Sequence, residues 1–377
     1  MSGERLLEPV GPVRLSLAAI GDVGVIGSAR ARAAREGCDA VFAAATPALS
    51  AADLGFANLE MPVAEAGQVR PGRSPEFRHD PDVLPALTRA GVRALALANN
   101  HIMDCGPRGL ELTLSACESA GLACAGAGPD LEAARRPAEL VVRSQRVVLL
   151  AYAASSKESA GARTPGPAPL EAALVLEDLE RWRPRADVLI VSVHWGSMYV
   201  DYPPPRVLEL AEMLERGGAD LVLGHHPHVL QGWRRAGRCL TLFSLGDAVF
   251  DARAGDFEAR VAAATRRESA VFTVCVAEES GLDVLPLTLD PDGWPQVPDA
   301  ARGRAQVERL ASLAAGLTDA RERFAREAPR LLEYELESLG HYLRQGRWDR
   351  VARLLGSVRP RHLPLLWQAL RRRRRDT

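Results

Sequence analysis

The sequence predicts an α/β protein. Short apolar segments of strand length alternate with segments of helical spacing, and residues able to bind metals stand directly after the apolar segments rather than inside them. In α/β sheets that position, beyond the carboxyl ends of parallel strands, is where ligands bind. With 377 residues, 47 % of them hydrophobic, the chain can bury a large core; residues 1–290 are expected to form one domain and 291–377 an Arg-rich helical extension.

Residues 13–20 read as the first strand, with Gly21-Asp22 at its end. An Ala- and Arg-rich helical segment, 28–49, returns the chain for a second strand, 54–59, which Glu60 follows; taken alone, a solvated strand end is the simpler account of that carboxylate. Residues 62–81, rich in Gly, Pro and Arg without periodicity, read as a long loop near the strand ends. Arg70, Arg73, Arg78 and His79 within it are candidates to meet an anionic substrate, although a solvated basic loop is the simpler account. A short helix, 83–90, leads to a third strand, 92–98, ending in Asn99-Asn100-His101. The Asn100 amide oxygen is a hard neutral ligand, His101 is placed to act as a general acid or charge stabiliser, and Asp104 can hydrogen-bond such an imidazole. An Asn-Asn turn between strand and helix is the plain alternative.

A helix over 107–120 has Pro in its first turn. A strand-like segment at 122–127, a strand at 146–152, a Gly/Pro-rich loop at 160–168 and a helix at 170–182 follow. The strongly apolar strand 187–193 terminates at His194-Trp195-Gly196. After a helix at 203–216, the strand 219–223 delivers Gly224-His225-His226-Pro227-His228. Three imidazoles in four positions are hard to reconcile with packing, because His is neither a favoured core residue nor a favoured loop solubiliser. Extended or turn geometry, with φ fixed by Pro227, would put His226 and His228 on one side, converging on one ion or two neighbouring ions. Parallel strands would bring Asp22, Glu60, Asn100, His101, His194, His226 and His228 to the edge of one sheet. The strand 239–245 ends in Gly246-Asp247, the closing strands are 271–276 and 284–289, and the Pro-rich break 291–298 marks the domain boundary.

The net charge of −1 conceals an asymmetry: residues 301–377 hold 18 Arg against 9 acidic residues, about +9, which leaves about −10 for the rest. The five arginines 371–375 could contact a phosphate-rich partner or an anionic bilayer surface, although a solvated terminus is the simpler account; no nucleic-acid role is expected. Six cysteines without a C-x-x-C pair fit a reduced, cytoplasmic chain. Nothing near Met1 has the pattern of a signal peptide, and no apolar window reaches the ~18–20 residues of a membrane span.

Taken together, Gly21-Asp22, Asn58-Leu59-Glu60, Asn99-Asn100-His101-x-x-Asp104-x-Gly106, His194-Trp195-Gly196, Gly224-His225-His226-Pro227-His228-Val229-Leu230-Gln231 and Ser244-Leu245-Gly246 resemble the CapA (poly-γ-glutamate capsule synthesis) family, which is similar to the calcineurin-like metallophosphoesterases. Over about residues 13–290, the resemblance implies a four-layer αββα metallophosphatase-like sandwich with two divalent ions, Mn, Fe or Zn, between strand ends. It implies Asp22, Glu60, Asn100, His194, His226 and His228 as ligands, Glu60 standing where a bridging acid belongs, and His101, held by Asp104, as the group facing the substrate. Trp195, His225, Arg78 and Asp247 are the candidates to line the substrate pocket. Two departures stand out: Gly24 occupies the place of a metallophosphoesterase His, which bears on the strength or number of metal sites, and Asp247 replaces the Asn that usually follows Gly246, an extra carboxylate that could bind metal or repel an anionic substrate. The function implied is a hydrolase whose metal-activated water attacks a phosphoester or an amide or peptide-like bond of a small or peptide-like, anionic substrate. An accessory role in making poly-γ-glutamate or another anionic polymer, and a metal-dependent tailoring enzyme for an amino-acid-derived product, are the alternatives.

Overall fold

Residues 3–65, 67–70, 77–154, 158–251 and 267–328 are described by the computed structural model. Two sheets face one another. The first has the strand order Glu4–Leu7, Gly281–Leu289, Glu268–Val276, Leu15–Gly24, Leu54–Leu59, Val92–Ala96, Ala123–Ala125, with Asp247–Phe250 also paired to Leu15–Gly24. The second runs Trp233–Ala236, Cys239–Leu242, Leu221–His225, Val188–His194, Gln145–Ala153, Ala138–Val142. In each, the strands that carry candidate ligands are parallel to their neighbours on both sides or on one.

Period-two burial builds the layers. Leu17 and Ala19 face the second sheet and join Phe56, Leu149, Ile190, Leu223 and Phe272 in the core between sheets. Their neighbours Ala18 and Ile20 face outward into a core shared with Ala29, Leu49, Leu84, Leu87 and Leu110, from the helices Gly27–Glu36, Thr46–Ala51, Val83–Ala90 and Gly106–Ser119. On the far side, Leu150, Val191 and Val193 pack against Val175, Leu179, Ala211 and Leu214 of the helices Ala172–Trp182 and Pro205–Arg216. The result is the αββα layering that the resemblance implies. Strands covered on both faces explain the near-continuous apolar run in Val188–His194.

Several elements differ from the sequence reading. The segment read as one helix over 28–49 breaks into Gly27–Glu36, Asp39–Phe42 and Thr46–Ala51, because Gly37 turns the chain with φ of 90° and Pro47 opens the last helix. The ligand-bearing strands do not share one sheet edge: Asp22, Glu60 and Asn100 belong to the first sheet, and His194 and His225 to the second. The strand beginning at Cys239 stops at Leu242, since Phe243, Leu245 and Gly246 turn back across the sheets. The helix after the Pro-rich break, Ala300–Ala315, is N-capped by Asp299, which accepts from the Arg302 amide. Its Val307 and Leu310 enter the core between the sheets. Arg73 and the arginines 371–375 lie outside the described residues. Among the described residues no helix is long and apolar enough to cross a membrane.

A candidate metal centre between the two sheets

Asp22 sits where the two sheets meet. Gly21 before it has no room for a side chain, since a Cβ there would stand 1.9 Å from the Gly246 carbonyl oxygen, and that same carbonyl accepts the Asp22 amide at 2.9 Å. Gly224 plays the matching part in the second sheet, where a Cβ would stand 2.0 Å from the Phe243 carbonyl oxygen. These close approaches seat the ends of Leu15–Gly24 and Leu221–His225 on the same segment, residues 243–246. Across that seam His225 Nδ1 is 2.9 Å from Asp22 Oδ1, Asn58 Nδ2 donates to the same oxygen at 2.8 Å, and the His226 amide donates to Oδ2 at 3.1 Å. Burial opposes the charge on Asp22, but the His225 hydrogen bond and the surrounding imidazoles hold its pKa well below the ordinary carboxylate range.

Glu60 contrasts with it. Its side chain is fully buried and, among the described residues, neither carboxylate oxygen has a hydrogen-bond partner. Burial, reinforced by Asp22, raises its pKa well above the usual value. His194 Nε2 stands 3.8 Å and His228 Nε2 3.7 Å from Glu60 Oε1. His194 Nε2 is also 2.8 Å from Asn100 Oδ1 and 3.1 Å from His226 Nδ1. Burial, and after it the neighbouring imidazoles, push His194 well below its ordinary pKa and His226 down to about 3, so both are electron-pair donors at neutral pH. His228 differs: burial pulls its pKa down, but Asp247 and Glu60 outweigh this and raise it to about 10.

Among the described residues, two groups of carboxylate and imidazole side chains have ligand atoms within 4.8 Å of one another: Asp22, Glu60 and His194, and Asp22, His228 and Asp247. The donor set suits a divalent ion, being oxygen and imidazole without thiolate. A buried carboxylate with two empty oxygens fits such an ion better than it fits packing. The loop carrying two of these histidines is not extended. His226 and His228 have φ of 95° and 55°, left-handed values that a non-glycine residue adopts at a cost of about 1–3 kcal/mol, yet their rings still stand 6.1 Å apart.

At the rim, His101 Nδ1 is 2.7 Å from Asp104 Oδ2, and the Phe77 ring meets the imidazole edge-on at 4.8 Å. Asn99 builds this turn: its Oδ1 accepts from the amides of His101 and Ile102, and its Nδ2 donates to the Leu59 carbonyl.

Of the residues expected in a substrate pocket, Trp195 and His225 are buried and Arg78 is turned away. The Trp195 indole stacks on Phe243 and donates to the Phe243 carbonyl at 3.0 Å, which makes it core behind His194. His225 is occupied with Asp22. Arg78 donates to the Ala64 carbonyl and pairs with Asp80. His79 is likewise structural, its Nε2 accepting from the Val25 amide at 3.1 Å. Asp247 stands inside the cluster, 2.7 Å from His228 Nδ1. Asn58 was given no role by the sequence reading; the available signal was an amide inside an otherwise apolar strand.

The family model for the bacterial capsule synthesis protein PGA_cap matches residues 16–252. The chain is 28 % identical over 320 residues to the capsule biosynthesis protein CapA of Bacillus anthracis, covering 80 % of this chain and 75 % of that one. It is 37 % identical over 219 residues to a probable polyglutamine synthesis accessory protein of Mycobacterium tuberculosis, covering 54 % of this chain and 57 % of that one. A solved structure of a putative 5'-nucleotidase from Staphylococcus aureus in complex with alpha-ketoglutarate is similar with a TM-score of 0.44 at 13 % identity, over 78 % of this chain and 58 % of that one.

Proposed function

Since the chain belongs to the bacterial capsule synthesis protein PGA_cap family, and its site gathers buried carboxylate, amide and imidazole ligand atoms between two sheets, we propose that it is a metal-dependent hydrolase. In this reading Asp22, Glu60, Asn100, His194, His226 and His228 hold two divalent ions, Mn, Fe or Zn. Once bound, such ions supply Lewis acidity toward a phosphoryl or carbonyl oxygen and a water of lowered pKa. The residues of the chain do the rest. Asn58 and His225 keep Asp22 ionised and aimed, and burial of His194 and His226 keeps their lone pairs free of protons. Asp104 pins His101 by Nδ1, which leaves Nε2 as the ring nitrogen available to protonate a leaving group.

The observation that carries the reading is Glu60, a fully buried carboxylate with no hydrogen bond and two imidazole Nε2 atoms within 3.8 Å. In a purely structural site such a group would be a liability of several kcal/mol. The bond attacked is a phosphoester or an amide or peptide-like bond, and the relatives' names, a capsule biosynthesis protein and a probable polyglutamine synthesis accessory protein, favour polymer synthesis as the setting.

The test is elemental analysis of the purified chain followed by turnover of a chromogenic phosphodiester and of a γ-glutamyl anilide with Mn added. Bound metal with turnover of either supports the reading. A chain that takes up no Mn, Fe or Zn overturns it. Bound metal without turnover favours an accessory role in polymer synthesis, the second reading, which the description of the Mycobacterium tuberculosis relative as an accessory protein supports.

A further inference from the structure

We propose that Asp247 is a positioning residue, which pins His228 through Nδ1 and so presents Nε2 to Glu60 as a metal-ligating nitrogen. The proposal rests on the metal-binding reading above and adds to it a residue outside the ligand set. Asp247 opens the strand Asp247–Phe250, whose parallel pairing with Leu15–Gly24 puts Asp247 directly opposite Asp22. Its carboxylate is therefore delivered to the site by sheet register rather than by a loop. Asp247 Oδ1 is 2.7 Å from His228 Nδ1, the length of a charge-assisted hydrogen bond. The opposite ring nitrogen, Nε2, is 3.7 Å from Glu60 Oε1, an oxygen that makes no hydrogen bond among the described residues and that His194 Nε2 approaches to 3.8 Å.

An imidazole that donates from Nδ1 has only Nε2 left to give a metal, and a carboxylate at that position commonly orients a ligating histidine. His228 lies on a left-handed backbone with φ of 55°, and its ring has Phe250 at 4.9 Å, Tyr199 at 5.8 Å and His226 at 6.1 Å as aromatic neighbours.

The experiment is titration of the metal-free, full-length chain with Mn²⁺ alone, by calorimetry, for wild type, Asp247→Ala and Asp247→Asn. Loss of the orienting carboxylate should weaken binding about 10- to 100-fold without changing the number of ions bound. The Asn variant keeps an amide oxygen that can accept from Nδ1, so it should recover most of the affinity. In the metal-free state, the downfield imidazole N–H resonance of His228 should vanish in the Ala variant and return in the Asn variant, a readout that a merely structural role would not move. Unchanged Mn²⁺ affinity in Asp247→Ala overturns the proposal. So does the loss of one whole ion in both variants, which would make Asp247 a ligand. In either case wild-type binding leaves the hydrolase reading standing, whereas a wild-type chain that binds no Mn²⁺ ends both.

Discussion

His101 Nδ1 lies 2.7 Å from Asp104 Oδ2, on a turn that Asn99 holds to the end of the strand Leu54–Leu59. His101 makes no hydrogen bond to Asp22, Glu60, His194 or His228 among the described contacts, so its contribution should be separable from ion binding. His101→Ala is expected to lower kcat by about 10²- to 10⁴-fold with metal content unchanged. Asp104→Asn should fall between that variant and wild type. Metal loss in His101→Ala, measured by elemental analysis, would move the residue into the ligand set.

Glu60→Gln should separate the two consequences of a buried, unpaired carboxylate. Saturating Mn²⁺ at about 100 times its dissociation constant raises the stability of a chain that binds it by about 2.7 kcal/mol. The Gln variant is expected to lose most of that rise in Tm. A rise equal to that of wild type would remove Glu60 from the site.

Ion binding should also release protons. In the metal-free chain His228 titrates at about 10, burial being outweighed by Asp247 and Glu60, and burial raises Glu60 well above the ordinary range. At pH 7 His228 retains a proton that a ligating nitrogen cannot keep. Protons therefore compete with the ion, and affinity should fall as the pH falls. Calorimetry at pH 7 in two buffers of different ionisation enthalpy should report at least one proton released per chain; zero release would contradict the assignment of His228.

His79 gives a pH effect away from the ions. It is fully buried and accepts from the Val25 amide, and burial lowers its pKa from the model-peptide value of 6.5 to about 4. The folded state thus refuses a proton that the unfolded state accepts. Its contribution is intact above pH 6.5 and is lost as the pH falls toward 4, by up to about 3 kcal/mol. Chemical denaturation of wild type and His79→Gln between pH 7 and 4.5 should show the steeper loss in wild type; parallel curves would exclude it.

Leu310 tests whether the helix beyond the Pro-rich break belongs to the core. It is fully buried among residues of both sheets, and nearby Gln306 Nε2 donates to the Ser269 carbonyl at 2.6 Å. Leu310→Ala is expected to cost about 2–5 kcal/mol. A chain truncated after residue 299 should aggregate or melt well below wild type. A truncated chain with unaltered Tm would make the helix a separate appendage.

The parts of the fold most legible in the sequence were those where one local rule dominates. The strand Leu54–Leu59 and the helix Val83–Ala90 match their expected bounds, because an apolar run and a Gly91 C-cap leave little choice. The placement of Asp22, Glu60, Asn100 and His194 at strand ends was legible for the same reason. The division of these strands between two sheets was not, since an apolar run reads alike in either. Nor were the fates of Trp195 and Arg78, which depend on partners distant in sequence, Phe243 in one case, and on a buried turn in the other. The left-handed backbone at His226 and His228 ran against local preference, as functional loops often do.

The seam between the sheets also sets an order in time. Half of the pocket is on a sheet whose first strand is made near the amino terminus, and the other half waits for His194, His225 and His228. Strand Asp247–Phe250 must then thread in beside Asp22. A nascent chain would therefore lack the full set of proposed ligands until His228 had been synthesised, and capture of an ion would report that the two halves had docked.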